Sequence, residues 1–254
     1  MKYTPTYFHR NMPEWKRKKD PILSRLFYRP VSFLNASFCA FFKINANSVS
    51  YFSMFVAIAA CCLFLTGNFV CGLIGAILIN YWLILDCTDG NLARSFRKQP
   101  YGEFADGISS YILVALLCVC VSFYTYFNGG IFIDSGFVWI ILIGAFASIS
   151  DTLMRLIYQK FKSVTNDMIK IGVVANYDDE RLDHSKVSSF KVRIESEFGI
   201  GGILPLFLLF SIIFNFTDVF LIYCVAYYGL SFLYTLVTFV LKARKYRNVE
   251  IGAN

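Results

Sequence analysis

Residues 69–94 read FVCGLIGAILINYWLILDCTDGNLAR, an apolar run that closes on two carboxylates, a glycine and an arginine. A helix needs about 20 mostly apolar residues to cross the hydrocarbon of a bilayer, and this stretch is long enough. Working outward from it, the stretches at roughly 46–66, 102–127, 136–161, 198–215 and 217–241 have the same character, so the sequence predicts six transmembrane helices. The fifth is short and contains Pro205. Composition agrees: of 254 residues, 57% are apolar, 18% aromatic and only 16% charged, against about 25% charge in an average soluble domain. That excludes a water-soluble globule and a disordered chain, and no Gly-X-Y period or charged heptad points to collagen or coiled coil. The expected fold is all-α, a polytopic membrane protein.

Residues 22–42 are different. Leu23, Leu26, Phe27, Leu34, Phe38 and Phe41 form one helical stripe, interrupted by Arg25, Arg29 and Pro30, which reads as an amphipathic helix in the interface rather than a seventh span. Six spans put both termini on one side. All 24 Lys and Arg residues then share one face: before the first span, near the turn between the second and third, between Arg155 and Arg193, or after Leu241. The positive-inside rule makes that face cytoplasmic. The expected organisation is a cytoplasmic N-terminus with its interfacial helix over residues 1–45, a membrane domain over 46–243 and a cytoplasmic tail over 244–254. Within the domain, 162–197 is the long polar insertion, with mixed charge from Asp178, Asp179, Glu180, Arg181, Asp183, Glu195 and Glu197; it reads as a solvated loop or a substrate-gating lid.

The first twenty residues contain no apolar h-region, so no cleaved signal peptide is expected. That expectation and the compact loops favour a bacterial inner membrane over an endomembrane. The net charge of +7 is placed to meet lipid head groups or phosphates rather than nucleic acid. The eight cysteines lie largely in or beside apolar stretches, where Cys acts as a small hydrophobe. With no CxxC pair, and only His9 and His184 to assist, neither a disulfide framework nor structural zinc is expected.

Ionised groups inside a span are costly and therefore functional suspects. The second span ends Asp86-Cys-Thr-Asp89-Gly90-Asn-Leu-Ala93-Arg94, and the third opens Gly102-Glu103-Phe-Ala-Asp106-Gly-Ile-Ser-Ser110. Asp86, Asp89, Gly90 and Ala93 stand at i, i+3, i+4 and i+7, on one helix face; Gly102, Asp106 and Ser110 repeat at four-residue steps on the next. The short turn between them predicts antiparallel neighbours with both polar faces at the cytoplasmic end. Three carboxylates converging there would repel one another. A divalent cation removes that cost, and hard oxygen ligands completed by waters and phosphate oxygens favour Mg²⁺ or Mn²⁺. Gly90 and Ala93 leave room for a ligand and Arg94 supplies a phosphate partner, so the site is shaped for a metal-bound diphosphate. The plainer alternative is an interfacial ion network of these acids with Arg94, Arg97 and Lys98.

The set resembles the signature of the CDP-alcohol phosphotransferase family, D-x-x-D-G-x-x-A-R-(x)8-G-x-x-x-D-x-x-x-D, and seven of its eight fixed positions are met, by Asp86, Asp89, Gly90, Ala93, Arg94, Gly102 and Asp106. The interfacial helix, the six spans and Asn47-Ser-Val-Ser50 at the start of the first span extend the similarity. The resemblance implies that Asp86, Asp89 and Asp106 bind metal, two ions in all, and that Gly90, Ala93, Arg94 and Gly102 shape the cytidine diphosphate pocket. It implies displacement of CMP from a CDP-linked alcohol, commonly CDP-diacylglycerol, by an acceptor, in lipid or glycopolymer biosynthesis, and a homodimer. Two positions depart from the signature. The gap from Arg94 to Gly102 is one residue short, and the last Asp, the family's proposed base, is Ser110.

A serine hydroxyl is a poor base at neutral pH, and a positioned base typically contributes about 10²–10⁴ in rate. Three explanations stand. Glu103 or Asp151 serves as the base; the acceptor is already ionised and needs none, positioning and charge stabilisation sufficing; or the site binds a CDP-alcohol without turning it over. Arg155 and Lys160 close the fourth span, where similar proteins carry acceptor-binding cations, although snorkelling to lipid phosphates explains them equally. Asp151 and Arg155, four residues apart, also read as an intrahelical pair. A transporter predicts repeat symmetry and polar groups near mid-membrane, whereas these carboxylates cluster at one edge. Intramembrane prenyltransferases resemble an N-x-x-x-D pattern over about nine spans, which this chain lacks. Asn215-Phe216-Thr217 is a formal glycosylation sequon in a turn too close to the membrane to be used.

Overall fold

The computed structural model describes residues 2–172 and 196–244. Two short helices, α1 (Pro5–Arg10) and α2 (Glu14–Lys19), precede a π-helical turn (Ser24–Tyr28) that runs directly into α3 (Arg29–Phe41). There follow α4 (Ala46–Leu65), α5 (Phe69–Ser95), α6 (Gly102–Asn128), α7 (Trp139–Lys170), α8 (Leu204–Ile213) and α9 (Thr217–Arg244). By length and composition α4, α5, α6, α7 and α9 are able to cross a membrane. The all-α, polytopic expectation holds. The acidic part of the 162–197 insertion, Asp178 to Glu195, and the tail beyond Arg244 lie outside the described residues, while α7 continues nine residues past the expected end of its span.

Local chemistry sets the helix ends. Gly67, at φ +66°, turns the chain after α4, and the Asn68 side chain then caps α5 by accepting from the backbone N–H groups of Val70 and Cys71. Helices approach closely where side chains are small. A Cβ on Gly144 of α7 would lie 2.4 Å from the Cys118 carbonyl oxygen of α6, and one on Gly75 of α5 3.1 Å from the Ala60 carbonyl oxygen of α4.

One expectation needs correction. α5 and α6 are antiparallel and joined by a short turn, but α4 packs extensively against both and the two touch each other only sparsely. A short connection fixes direction; which faces are apolar decides the partner. What the two helices do share is polar and sits near the turn that connects them.

The segment expected as the fifth span has its long continuous helix over Leu204–Ile213 only. Its first part, Gly199–Gly202, is a turn. The Ser24 hydroxyl donates to the Gly201 carbonyl at 2.7 Å, Asn80 in the middle of α5 donates to the Pro205 carbonyl at 2.9 Å, and Thr217 meets Thr125 near the far end of α6 at 2.9 Å. The chain thus traverses the bundle over 197–217 with helix in one half only. Non-helical backbone at such depth is tolerated where it is buried in protein or lines a cavity.

The far end is tightly tied. Asn128 donates to the Gly67 carbonyl at 2.8 Å, and Asp218, fully buried, accepts from the backbone N–H groups of Phe132 and Val219. Thr217 of the sequon is buried in this joint. On the other side of the bundle, α3 buries Phe33, Ala36 and Ala40 and exposes Leu34, Phe38, Phe41 and Phe42, the division expected of a helix lying in the interface. Arg29, read from sequence as a break in that stripe, instead turns inward and is buried. All eight cysteines are free thiols.

Candidate active site

The polar contacts of α5 and α6 build the site. Trp82 Nε1 donates to the Ser109 hydroxyl at 3.0 Å, Ser109 and Ser53 are hydrogen-bonded at 2.7 Å, and Ser53 donates to the Ser50 carbonyl at 2.7 Å. With Ser53's proton committed to that carbonyl, Ser109 must donate to Ser53. The result is a directed chain from α5 through α6 to α4. One turn further toward the α5–α6 connection, the Asp86 and Asp106 carboxyl groups lie against each other. Asp89 lies within electrostatic reach of both, but its carboxylate accepts from the Ser50 hydroxyl at 2.6 Å. Asp106 is exposed, Asp86 half-buried and Asp89 buried.

Two carboxyl groups in direct contact need a proton or a cation between them. Hard, anionic oxygen donors of this kind fit a divalent ion. Asp86 and Asp106 fit as they stand; Asp89 is turned to Ser50. Among the described residues no three His, Cys, Asp or Glu side chains are gathered around one point.

Asp86 also lines a cavity of about 390 Å³ whose other walls come from the N-terminal segment, α7, the Gly199–Gly201 turn and α9. Arg155 faces into it, its guanidinium held by Asp151 at 2.8 Å. Asp151 is 2% exposed and also accepts a hydrogen bond from Tyr228, so its oxygens are already engaged and it positions Arg155. Glu103 points the other way: its side chain is 91% exposed and pairs loosely with Lys162 at 3.6 Å. The structure therefore brings Asp86, Asp106 and Arg155 to one place and leaves Glu103 outside it. Ser110 is half-buried on α6, one turn beyond Asp106.

Ala93 and Arg94 line a neighbouring concavity with Arg97 and Lys98. Arg94 Nη1 lies 3.1 Å from where a Gly90 Cβ would stand, so the bare glycine lets the guanidinium fold back over its own helix. Arg94 is bonded to Asn91 at 3.1 Å, and Asn91 to Ser32 of α3 at 2.9 Å. Gly102 faces Asn47, where an added Cβ would meet Oδ1 at 3.4 Å; that oxygen is buried with no hydrogen-bond partner.

Three participants escaped the sequence reading. Ser50 was visible only as the start of a span. Arg29 bonds Asp20 at 2.7 Å and the Cys87 carbonyl at 3.3 Å. Lys16 pairs with Asp20 at 3.1 Å, and Arg29 and Lys16 both lie within electrostatic reach of Asp86. Burial alone would raise the Asp20 carboxyl, but Lys16 and Arg29 hold it below its ordinary value. Lys16 and Asp20 stand four residues apart, but the reach of Lys16 and Arg29 to Asp86 and Cys87 is long-range, and no local spacing announces it.

Comparison with known proteins places this geometry. The model of the CDP-alcohol phosphatidyltransferase family matches residues 43–190, more than half of the chain and all of the acidic motif. No curated protein matches the chain. The family transfers phosphoalcohol groups from CDP-alcohols in lipid synthesis, within membranes, and generally with divalent metals. The chain belongs to the CDP-alcohol phosphatidyltransferase family.

Proposed function

We propose that the chain moves a phosphoalcohol or phosphatidyl group from a CDP-linked alcohol to an acceptor, with release of CMP, at the cytoplasmic ends of α5 and α6. The observation that carries this is the Asp86–Asp106 contact at the edge of a cavity that also receives Arg155, on a chain of this family. Asp86 and Asp106, with Asp89 from beside Ser50, are the residues that would hold Mg²⁺ or Mn²⁺. When bound, such ions neutralise the diphosphate and make CMP a better leaving group. The chain's own share is positioning. Arg94 offers a planar guanidinium to a phosphate, while the hydroxyl chain from Trp82 to Ser50 locks α4, α5 and α6 at the depth of the acids. The acceptor oxygen attacks the β-phosphorus, the bond to the bridging oxygen breaks, and CMP leaves with that electron pair.

The remaining question is the acceptor's proton. Ser110 stands where the family places a base, Glu103 faces outward, and Asp151 is occupied by Arg155 and Tyr228. This supports an acceptor whose attacking oxygen is already ionised at neutral pH, with no proton to remove. The test uses purified protein in lipid nanodiscs with Mg²⁺, CDP-diacylglycerol and a panel of neutral and anionic acceptors, reading CMP. Release with an anionic acceptor is expected. Measurable CDP-alcohol binding with no CMP from any pairing would replace transfer by the second reading, which Ser110 favours: a protein that binds a CDP-alcohol without turning it over.

A further inference from the structure

Two buried polar residues outside the acidic set join the interfacial helix to the motif. Ser32 lies on α3, ahead of residue 43 where the family match begins, and Asn91 lies on α5 next to Gly90. Ser32 is fully buried and Asn91 nearly so. The Ser32 hydroxyl donates to the Arg29 carbonyl at 2.8 Å, so it can only accept from Asn91 Nδ2, 2.9 Å away. That contact fixes the amide: Oδ1 faces the other way and accepts from Arg94 Nη2 at 3.1 Å. A guanidinium carries donors only, so both ends of the amide require the same orientation.

The nature of the partner matters as much as its direction. Arg29 is paired with Asp20, and Arg155 with Asp151, so each of those charges is offset by a carboxylate. Among the described residues Arg94 forms no salt bridge. A neutral amide orients it and leaves its charge for a ligand. The guanidinium lies over Gly90, on the helix face that carries Asp86 and Asp89. The far end of the tether is firm: α3 packs on α5, and Arg29 donates to the Cys87 carbonyl at 3.3 Å, one turn before Asn91.

We propose that Ser32 and Asn91 are positioning residues for the substrate phosphates: through them the interfacial helix aims the Arg94 guanidinium at the diphosphate of the CDP-linked substrate without neutralising it. This rests on the transferase reading and adds that α3 sets nucleotide affinity from outside the matched region. Ser32, with no exposed surface, acts on the ligand only through Arg94.

The test uses the full chain in phosphatidylcholine nanodiscs and CDP as probe, since CDP carries both phosphates of the substrate and no transferable alcohol. CDP affinity with Mg²⁺ is measured calorimetrically for the wild type, Ser32→Ala, Ser32→Thr, Asn91→Leu, Arg94→Gln and the double variant of Ser32→Ala with Arg94→Gln. Modification of Arg94 by phenylglyoxal, read by mass spectrometry, follows the guanidinium with no nucleotide present. Ser32→Ala is expected to weaken CDP binding about fivefold, the equivalent of one net hydrogen bond. Ser32→Thr restores it, because a threonine hydroxyl reaches the same carbonyl within a helix. In the Arg94→Gln background Ser32→Ala brings no further loss, as the two groups act in series. Asn91→Leu, close in volume, removes the same link from its other side and repeats the Ser32→Ala result. Arg94 modification is faster in Ser32→Ala and returns to the wild-type rate in Ser32→Thr. Unchanged or tighter CDP binding in Ser32→Ala overturns the proposal, as does an equal loss with and without the Arg94 guanidinium, the mark of a purely structural serine. A wild type that binds no CDP strikes the transferase reading; the phenylglyoxal rates then decide the tether alone, and equal rates in wild type and Ser32→Ala overturn it.

Discussion

Arg29→Gln is the most informative single change at the N-terminal wall. Arg29 and Asp20 are 7% and 4% exposed and meet through two hydrogen bonds of 2.7 and 3.2 Å. Removing one partner of a buried ion pair costs about 3–5 kcal/mol, because the other charge is left uncompensated. Lys16 remains 3.1 Å from Asp20, which places the expected cost near the lower bound, about 3 kcal/mol. At 1.4 kcal/mol per factor of ten, that is roughly 100-fold in the local opening equilibrium of the segment. Amide hydrogen exchange reads such sub-global openings directly. Exchange over residues 20–28 is expected to accelerate roughly 100-fold, while the amides of α6 keep their protection. Adding Asp20→Asn removes the stranded charge and restores part of the protection. The pH dependence follows from the depressed Asp20 carboxyl: its stabilising contribution is fully present above the unfolded value of about 3.9 and is lost as pH falls through the lower, folded value. Docking is therefore flat from pH 8 to pH 5 and weakens only in strong acid. Acceleration of less than threefold in Arg29→Gln would refute the reasoning, since the pair would then contribute little to holding the segment.

Other substitutions separate the roles of neighbouring groups. Ser110→Ala should leave the rate of CMP release within about threefold of wild type on the true acceptor, whereas a loss toward the 10²–10⁴ expected of a base would give Ser110 a chemical role. Ser50→Ala removes the 2.6 Å donor to Asp89; a lost supporting hydrogen bond of this kind costs about 10–100-fold in metal affinity, measurable as a rise in the Mn²⁺ concentration for half-maximal CMP release with little change in the CDP-alcohol KM. Gly144→Ala places a Cβ 2.4 Å from a backbone oxygen of α6, which only helix separation relieves. Overpacking of this kind costs about 1–3 kcal/mol, read as a lowered unfolding midpoint in detergent.

The parts of the fold legible in sequence were those written at helical spacing. Continuous apolar runs gave α4 to α7 and α9, and the Asp86 to Asp106 pattern marked a place where charge enters the bundle. The turn ahead of Leu204 was less visible because 198–215 is apolar throughout; its signal lay in Gly199, Gly201 and Gly202 standing before Pro205, residues that weaken a helix without interrupting hydrophobicity. Partner choice was not legible either. A short turn between α5 and α6 suggested close neighbours, but Gly75 and Ala60 let α4 and α5 approach instead. The cavity wall was hidden for a different reason: Lys16 and Arg29 reach Asp86 across about sixty to seventy positions of sequence, and solvated charges before a first span look the same whether or not they fold back on the protein.

The stitching of Asn128, Thr217 and Asp218 at the end remote from the acids has a consequence for the cell. A hydrated hollow inside a membrane protein is a potential leak. Here Thr125, Thr217 and Asp218 are buried and bonded to one another's helices and loops at the end remote from Asp86, packing that disfavours the entry of water there.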